Sequence, residues 1–371
     1  MKKTITFTSI VLSALTASAQ LPVSHTAGNK NVLIEEFTGI HCQYCPDGHK
    51  ISAQVMAAYP GKVFAVNVHT GGYASPGSGE LDFRTTDGDA ISNIPGMGIT
   101  GYPTGDVNRH LWYGSALAID RANWQLASQM AMSQSAYVNI AGAAVLNTAT
   151  KVLTINIEAY YTANSPLATN KFTVLLLQDN IDGTQTGGST FNPTMINSDG
   201  TYRHMHALRD VLTSAAAGDI IATTSAGTTF TKTITYTVPA SFKNIPVKTA
   251  DLELIAFVSE GSTETINVCK IPITLSTTGI AENTLNSSLN IYPNPAKENM
   301  FVEFNLDQAQ PQPVAINVYN SLGEIVYTET LQTVSSGPQQ VKIETGKLAQ
   351  GLYILEVKTK DASSLRRVVM E

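Results

Sequence analysis

The sequence predicts a multidomain chain: an α/β domain over residues 31–132, an all-β sandwich over 135–275, and a small all-β sandwich over 290–371. Three observations predict it. Residues 31–132 alternate short apolar runs with segments of helical spacing, the order of strands joined by packed helices. From 135 onward the spacing becomes period two, in runs rich in Val, Ile, Thr and Tyr. Residues 276–289, STTGIAENTLNSSL, are small, polar and aperiodic, which makes them a linker.

Residues 1–19 read as a secretory signal: Lys2 and Lys3, an apolar run from Ile5 to Leu15, and a small-residue cleavage site at Ala17-Ser18-Ala19. That run is too short and too interrupted by Thr and Ser to span a bilayer, so the mature chain is expected to be exported and either soluble or surface-attached. Of the 371 residues only 14% are charged, the net charge is −6, and no basic cluster occurs, which argues against a nucleic-acid or anionic-membrane partner. Three cysteines are too few for a disulfide scaffold; two at close spacing point to redox chemistry or one local bridge.

In the first domain, VLIEEF (32–37) and KVFAVNVH (62–69) read as strands, and Ile51, Val55 and Ala58 fall on one face of a helix after Cys45. YPTGDVNRHLWY (102–113) reads as two short strands around a turn, and Ser115 as the cap of a helix running to about Met132. In the second, AYVNIAGAAVL, KVLTINIEAYY, KFTVLLLQD, TKTITYTV and DLELIAFVSE have the spacing of an immunoglobulin-like sandwich; TYRHMHALRDVL interrupts it as a loop and short helix. The last eighty residues give seven strands, with Asn320-Ser321-Leu322-Gly323 as a hairpin turn whose Gly takes positive φ.

The informative segment is VLIEEFTGIHCQYCPDGH. A strand enters a Gly-containing turn and Cys42-Gln43-Tyr44-Cys45 opens a helix, where orphan N–H groups and the helix dipole stabilise a thiolate. Cys42, nearer the helix start and expected to be the more exposed, is the candidate attacking thiol, and Cys45, three residues on, the resolving one. Pro46 and Gly48 weaken the first helical turn. A permanent Cys42–Cys45 bridge in an oxidising compartment is the competing reading. His41, Cys42, Cys45 and His49 are close in sequence, and His204 and His206 form a separate pair, but no second ligand pair completes a metal set, so no metal is assigned. Pro46 stands where covalent haem attachment needs a histidine, and no cofactor is assigned. Cys269 is expected to be a half-buried free thiol, and Asp179 and Asp182 a surface turn, since the spacing lacks a downstream bidentate Glu. G-x-S-x-G, P-loop and H-E-x-x-H motifs are missing, leaving hydrolase and nucleotide readings without support.

Three resemblances add to this. The CxxC segment with Tyr102-Pro103-Thr104 resembles the thioredoxin fold. It implies that Pro103 is a cis-proline beside the cysteines, shaping the edge where an extended substrate pairs, and that Glu36 is the buried acid that accepts a proton from Cys45. EEFTGIHCQYCPDGH, together with YRHMHALRDVL (202–212), resembles the outer membrane protein 28 family over residues 31–275, which implies a thioredoxin-like domain followed by a β-sandwich. IYPNPAKENMFVEF (291–304), VYNSLGEIVY (318–327) and LAQGLYILEV (348–357) resemble the type A sorting domain of the type IX secretion system. That resemblance implies recognition by an outer-membrane translocon, removal by a sorting-domain protease within 276–289, and attachment to surface lipopolysaccharide or release. Two functions follow as expectations: a thiol–disulfide oxidoreductase acting on protein clients, or a non-catalytic adhesion or ligand-binding protein with a fixed bridge.

Overall fold

The computed structural model describes residues 23–213, 218–276, 289–306, 311–320, 324–359 and 363–371. The expected signal segment, nearly all of the 276–289 linker and Gly323 of the expected hairpin lie outside them. The chain divides into two compact units, one of residues up to Ala144 with Thr154–Ile273, the other of Val145–Leu153 with Thr274–Glu371.

The first unit opens with β1 (Val32–Thr38), α1 (Cys45–Ala58) and β2 (Val63–His69). The two strands are parallel, Val32 opposite Val63 through Thr38 opposite His69, with the helix crossing between them. Side chains alternate along β1. Val32 and Ile34 join Val55 of α1 and Trp124, Ala127 and Ala131 in one core, whereas Leu33 and Phe37 join Val66, Val68 and Ile91 on the opposite face. Ile91 belongs to α2 (Thr86–Ser92), started by Thr85, whose side chain accepts the Gly88 N–H. The buried stripe of α1 is Cys45, Gly48, His49, Ser52 and Val55, so it is rotated from the expected Ile51–Val55–Ala58 line and Ala58 is exposed. Pro46 sits in the first turn, where its missing N–H would have had no helical partner, and the helix begins at Cys45.

The segment 102–113 holds one strand, β3 (Thr104–Val107), antiparallel to β1. Asn108 and Arg109 follow at φ 57° and 47°. The other strand that pairs with β3 is β4 (Ile119–Asp120), separated from it by eleven residues and lying beyond the expected 102–113 hairpin. This pairing also displaces the expected Ser115 helix start. The Asp120 side chain caps a 3-10 turn at Arg121–Asn123, and α3 (Trp124–Met132) follows. Tyr102–Pro103 is a cis peptide.

After α3 come β5 (Val138–Asn147), β6 (Val152–Tyr161) and β7 (Asn170–Gln178). Next are β8 (Tyr202–His204), β9 (Ala207–Val211), β10 (Thr229–Thr237), β11 (Leu252–Glu260) and β12 (Thr263–Ile271). Residues 202–212 are therefore two strands and not a loop with a helix. β8 pairs with Ile181–Gly183, and β9 is held between β7 and β2. The principal sheet runs β12-β11-β7-β9-β2-β1-β3-β4, with Asp219–Ile221 also on β7. Strands read as a separate immunoglobulin-like sandwich thus extend the sheet of the α/β segment. The physical reason is the β2 edge, which a free-standing α/β domain would leave with unpaired N–H and C=O groups and which β9 covers. A separate sheet runs β10-β6-β5.

The second unit contains two antiparallel sheets. One is formed by β13 (Asn290–Tyr292), β14 (Asn299–Leu306) and β17 (Gly337–Glu344), in the order β13-β14-β17. The other runs β16-β15-β18-β19, from β15 (Gln312–Tyr319), β16 (Ile325–Val334), β18 (Gly351–Lys358) and β19 (Ser363–Met370). Every second residue goes inward: Met300, Val302 and Phe304 meet Val314, Ile316 and Val318, Leu355 and Val357, and Val368. These are the seven expected strands.

Candidate thiol–disulfide site

Cys42 and Cys45 form a disulfide at the N-terminus of α1, with Cα atoms 5.4 Å apart. Both are buried, Cys42 at 3% and Cys45 at 0% exposure, so Cys42 is not the open thiol its position suggested. The cover comes from residues 184–191, far away in sequence. Thr186 donates its N–H to Ile40 O (2.8 Å), and Gln185 Nε2 donates to Gly39 O (3.2 Å) and Cys42 O (3.1 Å). Gly187, at φ 76°, lies against the Gln43 carbonyl so closely that a Cβ would collide with it. Phe191 meets the Tyr44 ring edge-on at 5.0 Å.

Behind the disulfide, Gly48 is fixed by close approach. A Cβ there would strike Glu36 Oε1 and stand 2.9 Å from Pro103 Cβ, so the first turn of α1, Glu36 and Pro103 share one packed contact. Glu36 is fully buried; Ser52 Oγ donates to its Oε2 at 3.0 Å, while Oε1 makes no hydrogen bond and lies 3.7 Å from His49 Nε2. Burial holds its pKa well above the usual carboxylate range, against the lowering effect of Ser52. Gly48→Ala is expected to separate these groups and destabilise the unit by about 1–3 kcal/mol, measured by chemical unfolding; an unchanged midpoint would remove this packing argument.

Glu36 and Thr38 continue on the α1 face of β1, and the parallel register places Asn67 and His69 beside them. His49 Nε2 meets Thr38 Oγ1 at 2.9 Å and its Nδ1 meets Tyr202 Oη at 3.0 Å. His204 donates from Nε2 to Thr184 O at 3.2 Å, and its ring centre is 5.5 Å from that of His69. His69 stacks on Phe83 at 4.6 Å, and neither ring nitrogen has a well-formed hydrogen bond. Burial, reinforced by neighbouring histidines, lowers His49 to about 3 and His69 well below its ordinary value; burial lowers His204 to about 4. All three are neutral imidazoles in the folded protein.

The structure brings Glu36 and Pro103 together at Gly48, three residues past Cys45, but it does not gather the sequence-adjacent histidines. His41 is exposed and pairs with Glu80 at 2.9 Å. His206 lies in another cluster, 2.7 Å from Glu253 and 3.3 Å from Asp179, with Lys270 also on Glu253. Asp179 and Asp182 do not converge: Asp179 accepts from the His206 N–H (2.6 Å) and Asp182 from Asn197 (2.6 Å). Cys269 is a half-buried free thiol, pushed up to about 12 by burial. Sequence reasoning missed His69, Tyr202 and the covering segment. The adjacent acids Glu35-Glu36 inside an apolar strand were the available signal of buried ionisable groups, since either face of a buried strand must place one of them inside.

Residues 93–276 match the family described as outer membrane protein Omp28, and residues 290–371 match the secretion system C-terminal sorting domain. The first match begins after the cysteine segment, later than residue 31. Among solved structures the chain is similar to HBP35 of Porphyromonas gingivalis, at 20% identity and TM-score 0.54, covering 93% of this chain and 99% of that one. It also matches a protein from Agrobacterium tumefaciens at 12% identity and TM-score 0.40, covering 65% of this chain and 94% of that one. A domain of the outer membrane lipoprotein Omp28 from P. gingivalis matches at 15% identity and TM-score 0.23, covering 38% of this chain and 91% of that one. No curated protein gives a significant match. Residues 93–276 thus carry the match to the outer membrane protein Omp28 family and residues 290–371 a type IX sorting domain, and together they indicate delivery outside the cell or to the outer-membrane surface by the type IX secretion machinery.

Proposed function

We propose that this surface-delivered protein is a thiol–disulfide exchange protein whose first unit is built on a thioredoxin-like fold. Glu36 carries the reading. It is a fully buried carboxyl, its pKa raised by burial, with one oxygen unpartnered, against the first turn of the helix that Cys45 opens. A permanent bridge has no use for such a group, and burying it is costly. The parallel β1–α1–β2 crossover, with β3 antiparallel on the other side of β1 and Pro103 packed at Gly48, supports the fold reading.

In this mechanism a client thiolate attacks Cys42 Sγ and the Cys42–Cys45 bond breaks. Cys45 leaves as a thiolate and takes the proton of Glu36. A second client thiolate then displaces Cys42, which takes a proton from water while another returns to Glu36, these being the protons the two client thiols gave up. The client gains a disulfide and the protein is left as a dithiol, two electrons having moved from client to protein. Pro103 shapes the edge on which the client lies. Lipopolysaccharide attachment and removal of the sorting domain belong to this reading as the steps that set the protein's final place.

Exchange requires a reduction potential in the range of cellular redox proteins, about −120 to −270 mV; a pair still oxidised below about −300 mV would mark a structural bridge. Equilibration in glutathione and dithiothreitol buffers with alkylation of the Cys42 and Cys45 peptides measures it. Glu36→Gln keeps the shape and removes the proton, and exchange at neutral pH is expected to slow about 10²-fold. An equal rate would take Glu36 out of the mechanism. The second reading, a non-catalytic adhesion or ligand-binding protein with a structural bridge, is favoured by the burial of both cysteines.

A further inference from the structure

We propose that residues 184–191 form a strap that closes the disulfide against clients in the resting protein, and that an extended polypeptide segment displaces it by taking over its backbone contacts. The inference rests on the exchange reading above and resolves its main difficulty, the burial of both cysteines.

The contacts have the character of a bound peptide. Thr186 supplies a main-chain N–H to the Ile40 carbonyl, as an added strand does at an open edge. Gln185 satisfies the carbonyls of Gly39 and Cys42, the residues that lead into the disulfide. Gly187 passes over the Gln43 carbonyl with no room for a side chain, so the fit is specified by a glycine at one position. The strap is moored at its far side by His204, which donates to Thr184 O, and by the short helix Gly188–Phe191 with Phe191 on Tyr44. Between these moorings one hydrogen bond from the main chain and two from the side chain of Gln185 join it to residues 39–45. That is a small set of contacts, of the size local openings break without global unfolding. A client with main-chain donors and a small residue opposite Gln43 fits the same place.

The test uses the full oxidised chain in dithiothreitol, which is converted to its cyclic disulfide as it reduces the protein. Timed alkylation and mass analysis then follow the Cys42 and Cys45 peptides. Gln185→Ala removes two of the three hydrogen bonds and is expected to speed reduction about tenfold or more, with the thermal midpoint nearly unchanged. Gly187→Ala, which forces the strap off Gln43, is expected to do at least as much; if that variant fails to fold, Gln185→Ala decides alone. A rate within twofold of the parent chain for a folded Gln185→Ala protein would overturn the strap. Incubating the same oxidised variants with a reduced dithiol peptide separates this from the exchange reading. Faster reduction with no oxidation of the peptide leaves the strap standing and removes exchange, whereas peptide oxidation at an unaltered rate leaves exchange standing and removes the strap.

Discussion

Arg109→Met is expected to destabilise the first unit by about 3–5 kcal/mol, the cost of leaving a buried charge unpaired. Arg109 and Glu35 are 1% and 0% exposed and meet through two bonds, Nε to Oε2 at 2.5 Å and an Nη2 bond to Oε1 at 2.7 Å. The same guanidinium donates to Ser262 O at 3.2 Å and lies 5.0 Å from the centre of the Phe257 ring, while the Arg109 N–H is taken by Asp106 (2.7 Å). One side chain therefore ties the β1 face to the β11–β12 hairpin. Burial, then the charge of Glu35, raises Asp106 well above the carboxylate range. Arg109→Lys is expected to recover little, because an ammonium lacks the planar fork that meets both carboxylate oxygens. The double change Arg109→Met with Glu35→Leu is expected to recover most of the loss, since two apolar groups replace a pair whose desolvation largely cancels its attraction. The only two tryptophans of the chain, Trp112 and Trp124, lie in this unit, so fluorescence in urea reads it separately from the sorting domain. A loss below 1 kcal/mol in the single variant would mean the carboxylates find water or another partner.

Acid is expected to produce the second large effect. In the folded protein His49 takes a proton only near 3 and His204 only near 4, whereas an unfolded imidazole takes one near 6.5. Stability from holding them neutral is complete above 6.5 and is lost as pH falls toward the folded values. At pH 5 each of the two has given up about 2 kcal/mol, and His69 acts in the same direction. Glu36, Asp106, Asp87, Asp179 and His206 oppose them: their folded pKa values are raised, so each favours the folded state more as pH falls. The histidine contribution by itself lowers the urea midpoint between pH 7 and 5. His69→Phe tests the cause directly. The new ring can keep the stack on Phe83, removes two nitrogens that lack well-formed hydrogen bonds, and is expected to flatten the pH dependence by nearly one proton. An unchanged slope would place the acid sensitivity elsewhere.

What could be read from sequence tracks how local the determining contacts are. The seven strands of the sorting domain were legible because each buries alternate residues against near neighbours, as Met300, Val302 and Phe304 do. The β1–α1–β2 crossover and the placing of the cysteines at a helix start were legible for the same reason. The continuous sheet was not, because it depends on β9 meeting β2, where Ala207 faces Asn67, and no local pattern records a partner 140 residues away. Residues 202–212 were misread for that reason: their apolar positions serve two neighbouring strands, and short apolar runs do not by themselves separate helix from strand. In the site, Glu36 and Pro103 could be placed by motif, while Gln185-Thr186-Gly187 looked like an ordinary polar turn. The glycine signalled a special backbone position but not what lay beneath it.

The distance along the chain between the cysteines and their cover also sets an order of events. Gln185 follows Cys42 by 143 residues, and the strand that seals the β2 edge comes later still. A chain crossing a membrane from its N-terminus presents Cys42 and Cys45 to the oxidants outside well before Thr186 or Ala207 has arrived. The bond therefore has its time of easy chemistry early, on an incomplete sheet, and once the sheet is complete the proposed strap restricts further exchange to partners that can displace it.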